Sequence, residues 1–159
     1  MWTVAILTSS DQGALGLRAD ESGALLQESL AGFGEVRDRR ILPDEEEQLA
    51  AQMREWVEQG MDLIVTTGGT GLGPRDVTPE ATRRVITREI PGIAEAMRQE
   101  SLKHTQMGML SREVAGQSGQ TLVINMPGSP KAVRELLPVI RPILDHALRL
   151  IHGQTQHEK

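Results

Sequence analysis

One glycine-rich segment carries most of the groups in this chain that could do chemistry. The segment Thr66–Thr82 reads TTGGTGLGPRDVTPEAT and directly follows an apolar strand candidate that ends at Thr67. Glycine tolerates positive φ and lets a ligand approach closely, so that successive backbone N–H groups can converge on phosphate oxygens. The segment is therefore predicted to bind a phosphorylated ligand through Gly68, Gly69, Gly71 and Gly73.

Two charged side chains in the segment indicate how such a ligand would be held. Asp76 is a hard oxygen ligand of the kind that binds Mg²⁺ beside a nucleotide, and Arg75 can pair with a phosphate through two parallel donors. A P-loop is excluded because Gly73 is followed by Pro74 rather than by lysine and a hydroxyl. A dinucleotide fingerprint is excluded because the loop follows the third strand candidate rather than the first. A structural turn would need one glycine, so four glycines beside Asp76 favour a functional site.

Asp44 has two interpretations. Asp44 and Glu47 have the D-x-x-E spacing of a capping box, which would explain Asp44 as helix chemistry alone. Asp44 also ends a strand candidate, where it could share a divalent cation with Asp76. Asp20 is expected to begin a helix.

A second polar segment, Asn125–Lys131, has the sequence NMPGSPK. It could simply cap the last helix, but Lys131 near a helix N-terminus opposes the helix dipole, and an anionic ligand would relieve that conflict. Ser111 has no base near it in the sequence, so it is interpreted as a hydrogen-bond donor rather than a nucleophile.

Composition excludes several classes of function. The 159 residues include no Cys, which rules out thiolate metal sites and cysteine nucleophiles, and their number fits one domain over residues 1–153 with a polar tail at 154–159. A net charge of −5 with only three aromatic residues (two Trp, one Phe) argues against nucleic-acid binding. No segment reaches the length of a membrane span and the first apolar run is too short for a signal peptide, so a cytoplasmic protein is expected.

Strand and helix candidates alternate along the chain, which predicts an α/β fold in which helices cover a mostly parallel sheet. A hairpin near the C-terminal end would add one antiparallel strand at the margin of the sheet. Proline is expected to interrupt the last helix. The predicted strands are Thr3–Thr8, Glu35–Leu42, Leu63–Thr67 and a hairpin of Glu113–Ala115 with Gln120–Asn125; the predicted helices are Ser22–Phe33, Pro43–Gln59, Thr78–Arg88, Pro91–Lys103 and Val133–Ile151, the last interrupted at Pro138 and Pro142.

The polar segments all follow predicted strands. Ligands of open α/β sheets bind at the carboxyl ends of the strands, so these segments are expected to converge on one crevice. The residues predicted to bind ligand there are Ser9, Gly68, Gly69, Thr70, Gly71, Arg75, Pro127, Gly128 and Lys131, with Asp44 and Asp76 as the carboxylate pair.

The order of these motifs resembles a known family. The Thr66–Thr82 segment, followed by Pro91-Gly92, Leu110-Ser111-Arg112 and Asn125–Lys131, is similar to the molybdopterin adenylyltransferases of the MogA/MoaB family and to the G domains of gephyrin-like proteins. The likeness covers the chain from about Thr3 to His152.

The resemblance implies a three-layer α/β/α fold, a homotrimer, and transfer of AMP from Mg·ATP to molybdopterin in molybdenum cofactor biosynthesis. It makes Asp44 and Asp76 the catalytic, metal-binding residues, and it makes Thr70 and Ser111 molybdopterin-binding residues. It also implies that the product passes to a molybdenum-insertion protein. A trimeric, non-catalytic molybdopterin carrier or scaffold is an alternative, and a nucleotide hydrolase on a related fold is another.

Overall fold

The computed structural model describes residues 1–154. The predicted tail therefore lies outside the described residues, apart from Gln154. Six strands and seven α-helices are present in this part of the chain: β1 (Trp2–Ser9), α1 (Asp11–Ala14), α2 (Glu21–Leu30), β2 (Gly34–Leu42), α3 (Glu46–Glu58), β3 (Leu63–Thr67), α4 (Thr78–Arg83), β4 (Arg88–Glu89), α5 (Pro91–His104), β5 (Ala115–Ser118), β6 (Thr121–Met126), α6 (Pro130–Ile140) and α7 (Leu144–Ile151). Two 3₁₀ turns, Gln106–Leu110 and Arg141–Ile143, complete the path.

All six strands form one sheet in the order β2-β1-β3-β6-β5-β4. The first four are mutually parallel, and β5 pairs antiparallel with both β6 and β4. The predicted sheet is therefore confirmed, with the two-residue strand β4 added outside the antiparallel strand. Strands β3 and β6 are buried along their whole length, as expected for strands that helices cover on both faces.

Alternate side chains of the central strands feed two apolar cores, because successive residues of a strand point to opposite faces. On one face, Ile6 and Val65 pack with helices α2, α5, α6 and α7. On the other face, Leu7 and Ile64 pack with α3 and α4, including the fully buried Trp56. The three-layer architecture is therefore confirmed.

Several predicted boundaries are wrong. The helix from Thr78 ends at Arg83 rather than Arg88, because the N–H groups of Thr87 and Ile90 donate to the carbonyls of Gln117 and Ala115 and draw this segment into the sheet. The hairpin turn lies at Gly119-Gln120, where Gly119 has a φ of +56°, and not at 116–119. The short helix α1 was not predicted.

The last helical segment is interrupted as expected, but only at the second proline. Pro138 lies inside α6, whereas the chain passes through a 3₁₀ turn at Arg141–Ile143 before α7 begins. Within residues 1–154, no helix combines the length and hydrophobicity that a membrane span requires.

Candidate active site

The candidate site lies at the carboxyl ends of β1 and β3. In the sheet, β1 lies between β2 and β3. The connections that leave β1 and β3 therefore run in opposite directions across the sheet, which makes the gap between these two strands a topological switch point. Ligands of doubly wound sheets bind in the crevice that forms at this kind of switch point. Two neighbouring cavities open here, and both are lined by the loops that follow the parallel strands.

The first cavity has a volume of about 380 Å³ and brings together two carboxylates that are distant in sequence. Asp44 and Asp76 both line it, together with Ser9, Gly68 and Gly128. The other lining residues are Thr8, Ser10, Gly13, Arg18, Ala19, Asp20, Glu21, Ser22, Thr67, Gly69, Ser129 and Pro130. The expected convergence of the segments after β1, β2, β3 and β6 is therefore present.

The Asp44 side chain is held by the end of β1 and not by the helix that follows it. One oxygen accepts from the hydroxyl of Ser9 at 2.5 Å, and the other accepts from the backbone N–H of Asp11 at 3.0 Å. The capping-box interpretation of Asp44 is wrong, because Glu45 occupies the N-cap of α3 and no side chain caps that helix. Asp20 does cap a helix as predicted, by accepting from Gly23 N–H at 3.0 Å.

Arg75, predicted to pair with phosphate, forms an ion pair with Asp11. Its Nε and Nη2 atoms donate to the two Asp11 carboxylate oxygens at 3.0 and 2.9 Å. These hydrogen bonds, with help from the backbone N–H of Asp44, lower the pKa of the Asp11 carboxyl to about 2. Arg75 therefore acts on the first cavity through Asp11 and Asp44, and its role as a direct phosphate ligand stays a prediction.

The glycine loop needs glycine at two consecutive positions for both conformation and space. Gly68 and Gly69 have φ values of +90° and +70°, a region that side chains other than glycine rarely adopt. A Cβ on Gly68 would lie 2.5 Å from the carbonyl oxygen of Ser9, and one on Gly69 would collide with the hydroxyl of Thr78. The loop backbone can therefore approach the end of β1 closely, and the Gly68–Gly69 turn forms part of the cavity wall.

The remaining loop glycines make room for Asp76. A Cβ on Gly71 or Gly73 would lie 2.9 or 2.8 Å from the same Asp76 oxygen, and that oxygen accepts from Gly73 N–H at 2.8 Å. Among residues 1–154, no donor reaches the other Asp76 oxygen. Asp76 is thus fixed by the loop while one oxygen is left to bind a ligand.

The donor set of the first cavity fits Mg²⁺. This cation commonly binds one or two protein carboxylates and completes its shell with waters and substrate phosphates. The described residues contain no cluster of three metal-ligating side chains, so they offer no closed cage of the kind that structural ions use. Two carboxylates facing one open cavity match a cation that arrives with a phosphorylated ligand.

The second cavity has a volume of about 430 Å³ and contains the rest of the predicted binding residues except Arg75, which lines neither cavity. They are Thr70, Gly71, Ser111, Pro127 and Lys131. The hydroxyl oxygen of Ser111 is buried and has no hydrogen-bond partner in the described structure. An unpartnered buried hydroxyl in a cavity that a lysine also lines is suited to an anionic ligand, because a buried polar atom is costly unless it is bonded. Ser129 lines both cavities, so they are adjacent.

Arg112 joins the two cavities, and sequence analysis missed it. Its guanidinium donates to the carbonyls of Gly71 and Asp76 at 2.9 and 2.8 Å and to the Glu80 carboxylate at 2.7 Å. Its backbone N–H donates to the carbonyl of Thr70 at 2.9 Å. One residue thus holds the glycine loop, α4 and the Ser111 segment together. The only signal in the sequence is its position beside Ser111.

Glu113 is a buried acid on the same segment. Its side-chain oxygens have no hydrogen-bond partner in the described structure, and the residue is 2% exposed. Burial raises the pKa of the Glu113 carboxyl, an effect that its own backbone N–H and the positive charge of Arg98 only partly offset. Arg98 also donates to the carbonyls of Ser111 and Glu113 at 3.3 and 3.1 Å, which fixes the path of this segment.

Comparison with known proteins identifies relatives along almost the whole chain. Gephyrin from Dictyostelium discoideum is 40% identical over 98% of the chain, but the chain spans only 23% of that protein. The chain likewise spans about half or less of two further relatives, a molybdenum cofactor biosynthesis bifunctional protein from Chlorobaculum tepidum and the molybdenum cofactor synthesis protein cinnamon from Drosophila melanogaster. A protein named molybdopterin adenylyltransferase from Helicobacter pylori is 37% identical over 94% of the chain and 88% of its own length.

Solved structures agree with these relatives. The crystal structure of a protein described as the molybdopterin biosynthesis enzyme MoaB, from Thermus thermophilus, is 50% identical, has a TM-score of 0.90, and covers 96% of this chain and 98% of its own. The family model described as a probable molybdopterin binding domain matches residues 5–146. That match includes all lining residues of both cavities, from Thr8 to Glu135. The chain therefore belongs to the family of probable molybdopterin binding domains.

Proposed function

We propose that this protein is a molybdopterin adenylyltransferase, which transfers AMP from ATP to the terminal phosphate of molybdopterin and releases pyrophosphate. The observation that carries the proposal is the adjacency of two differently built cavities. One has the carboxylates of Asp44 and Asp76 beside a glycine turn, and the other has a buried hydroxyl and a lysine. Such a pair suits a reaction that joins a nucleotide to a second phosphorylated substrate. The name of the Helicobacter pylori relative supports the same activity.

The reaction forms one bond and breaks one. An oxygen of the molybdopterin phosphate attacks the α-phosphorus of ATP and forms a new P–O–P linkage. The bond from the α-phosphorus to the oxygen that bridges to the β-phosphorus breaks, and its electron pair leaves with pyrophosphate. The attacking oxygen belongs to a phosphate that is already ionised at neutral pH, so no enzyme nucleophile is needed, and alignment and charge neutralisation carry the catalysis.

The first cavity would receive the nucleotide. The N–H group of Gly69 would donate to its phosphate oxygens, since the turn lines the cavity and its positive φ values let the backbone approach. The N–H group of Gly68 instead donates to the carbonyl of Met126 at 3.1 Å, which fixes the turn against the end of β6. Asp44 and Asp76 would hold Mg²⁺. When bound, Mg²⁺ supplies positive charge that offsets the negative charge on the triphosphate and on the leaving pyrophosphate.

The second cavity would receive molybdopterin. Lys131 would pair with the anionic phosphate of the pterin, and the buried hydroxyl of Ser111 would find in the pterin the hydrogen-bond partner that it lacks. Thr70 and Gly71 line this cavity, while the neighbouring Gly69 lines the first. The glycine loop therefore passes between the two ligands, which would bring the terminal phosphate of the pterin towards the nucleotide.

A three-arm incubation tests the activity. Every arm contains the protein, ATP and Mg²⁺. The first arm also receives molybdopterin, the second receives buffer in its place, and the third receives molybdopterin and a chelator. Pyrophosphate and adenylylated pterin are quantified in each arm. The proposal predicts both products in equal amounts only when molybdopterin and Mg²⁺ are present. No pyrophosphate in any arm would indicate a carrier or scaffold, and nucleotide loss without pterin would indicate a hydrolase.

The assembly proposed with this activity is a homotrimer that passes its product to a molybdenum-insertion protein. Light scattering coupled to size exclusion measures the first point, and a mass three times 17.4 kDa is expected. The second is tested by adding purified insertion protein to the loaded enzyme and measuring release of adenylylated pterin. Release no faster than in buffer would contradict a handover.

A further inference from the structure

The first cavity contains far more negative than positive charge. Four carboxylates line it, those of Asp20, Glu21, Asp44 and Asp76, against the single guanidinium of Arg18. A triphosphate brought into these surroundings meets like charges, and two charges of the same sign at short range disfavour binding. Mg²⁺ removes part of that repulsion, but a nucleotide that carries several negative charges still gains from a protein cation.

The other cations near this cavity already have partners. Arg75 is bound at both oxygens of Asp11, and Arg39 donates to Asp20 at 3.1 Å. Lys131 lines the second cavity instead. In contrast, Arg18 makes no hydrogen bond or ion pair with any of the residues 1–154. It is therefore the one cation of the first cavity wall that a ligand can engage without breaking an existing contact.

The loop that carries Arg18 is held by hydrogen bonds at both ends, and the residues between them are exposed to solvent. Gly16 and Leu17 donate to the carbonyls of Gly13 and Gln12 at 3.1 and 2.9 Å. Two residues after Arg18, the Asp20 carboxylate accepts from Thr8, Gly23 and Arg39. Gly16 has a φ of +72°, and a Cβ added there would contact nothing within 4 Å. The backbone is thus held beside the cavity while the arginine side chain stays exposed and free to reorient.

We propose that Arg18 binds the phosphate chain of the nucleotide in the first cavity. The inference rests on the proposed function, because it assigns the nucleotide to this cavity. Arginine matches phosphate geometry through parallel N–H donors, and its charge does not depend on pH in the physiological range. Arg18 would supply this cavity with an arginine contact to phosphate while Arg75 is held by Asp11, and it would complement the N–H group of Gly69, which lines the same cavity.

Calorimetric titration of Mg·ATP and Mg·pyrophosphate into wild type and variants tests this assignment. Arg18→Met, which keeps most of the stem but removes the charge, is expected to weaken both ligands about 10- to 100-fold, the effect of losing a charged hydrogen-bonding partner. Arg18→Lys is expected to retain part of the affinity. Arg134→Met removes an exposed arginine that lines neither cavity, so it should bind both ligands as the wild type does.

The results separate this inference from the proposed function. Wild-type affinity for both ligands in Arg18→Met would overturn the role of Arg18 even if the wild type transfers AMP. A loss for Mg·ATP with none for Mg·pyrophosphate would also overturn it, because Arg18 would then act on the AMP part of the nucleotide and not on the phosphates that leave as pyrophosphate. A wild-type protein that binds neither ligand would instead remove the proposed function, and the role of Arg18 with it. Unfolding of Arg18→Met should match the wild type, since the exposed Arg18 side chain makes no hydrogen bond or ion pair within residues 1–154.

Discussion

Asp11 and Asp44, 33 residues apart, exchange hydrogen bonds: the backbone N–H of Asp11 donates to the Asp44 carboxylate at 3.0 Å, and that of Asp44 donates to the Asp11 carboxylate at 2.9 Å. This reciprocal pair joins the carboxyl ends of β1 and β2. Arg75 in the glycine loop then binds Asp11 from the far side. The orientation of Asp44 towards the first cavity is thus set by two other strand ends and not by its own helix.

This chain of contacts predicts a measurable change in the ionisation of Asp11. In Arg75→Met, the pKa of Asp11 should rise from about 2 towards its ordinary value of 3.8, because the largest contribution to its lowering is lost. A carboxyl with a lowered folded-state pKa stabilises the fold above pH 3.8, and that stabilisation is lost as the pH falls towards 2. NMR titration of the Asp11 carboxyl carbon measures the shift. An unchanged midpoint in the variant would show that the ion pair does not form in solution.

The glycine turn predicts a contrast between two alanine substitutions. Gly68→Ala must place a side chain at a φ of +90° and a Cβ 2.5 Å from the Ser9 carbonyl, so it should destabilise the fold by about 1–3 kcal/mol and weaken Mg·ATP binding. Gly92→Ala is the matched control, because its Cβ meets nothing within 4 Å in the first turn of α5. It should be neutral or stabilising by up to about 1 kcal/mol. Urea denaturation of both variants gives the comparison, and equal stabilities would contradict the described turn.

Arg112 is predicted to position the glycine loop for both ligands. Arg112→Met removes donors to Gly71, Asp76 and Glu80, which should cost about 1–3 kcal/mol of stability. Because the loop forms part of both cavities, KM should rise for ATP and for molybdopterin alike. Arg83→Met, which removes only an exposed pair with Glu89, is the control. A rise in KM for one substrate alone would contradict the bridging role.

Glu113 predicts an unusual dependence of stability on pH. Its folded-state pKa is raised above 4.5 by burial, so ionised Glu113 destabilises the fold at pH values above the raised pKa, and the penalty disappears as the pH falls below 4.5. Glu113→Gln should therefore raise Tm at about pH 8, and the gain should shrink at about pH 4. Glu95→Gln, at an exposed position on α5 without an ion pair in the described structure, controls for the loss of a negative charge. An increase in Tm that becomes larger as the pH falls would contradict a raised pKa of Glu113.

The sequence predicts the fold well where the signal is local. The apolar runs of β1 and β3 and the helical periodicity of α3 are visible in the chain itself. The strand β4 is not, because Arg88-Glu89 enters the sheet through hydrogen bonds of its neighbours with residues 115 and 117. The pattern before it resembles a helix, and tertiary pairing overrides that local preference.

The candidate site, too, is predictable where its signals are local and not where they depend on tertiary packing. Glycine spacing and strand-end position are local signals, and they placed Asp76 and Gly68 together. The partners of these residues could not be read from the sequence. Asp44 has a complete local explanation as a helix cap, yet its carboxylate is bound by Asp11. Arg112 acts on Glu80, 32 residues away in the chain, so its role follows only from the way the elements pack.

The central claim is that Asp44 and Asp76 share one Mg²⁺ on the nucleotide, and a double-mutant cycle tests it most directly. Molybdopterin-dependent pyrophosphate release is measured at saturating Mg²⁺ for wild type, Asp44→Asn, Asp76→Asn and the double variant, with folding checked by thermal unfolding. If one ion needs both carboxylates, the rate of pyrophosphate release should fall about 100-fold or more in each single variant. The double variant should then lose little beyond either single change. Full activity in Asp76→Asn, or losses that multiply in the double variant, would contradict a shared cation.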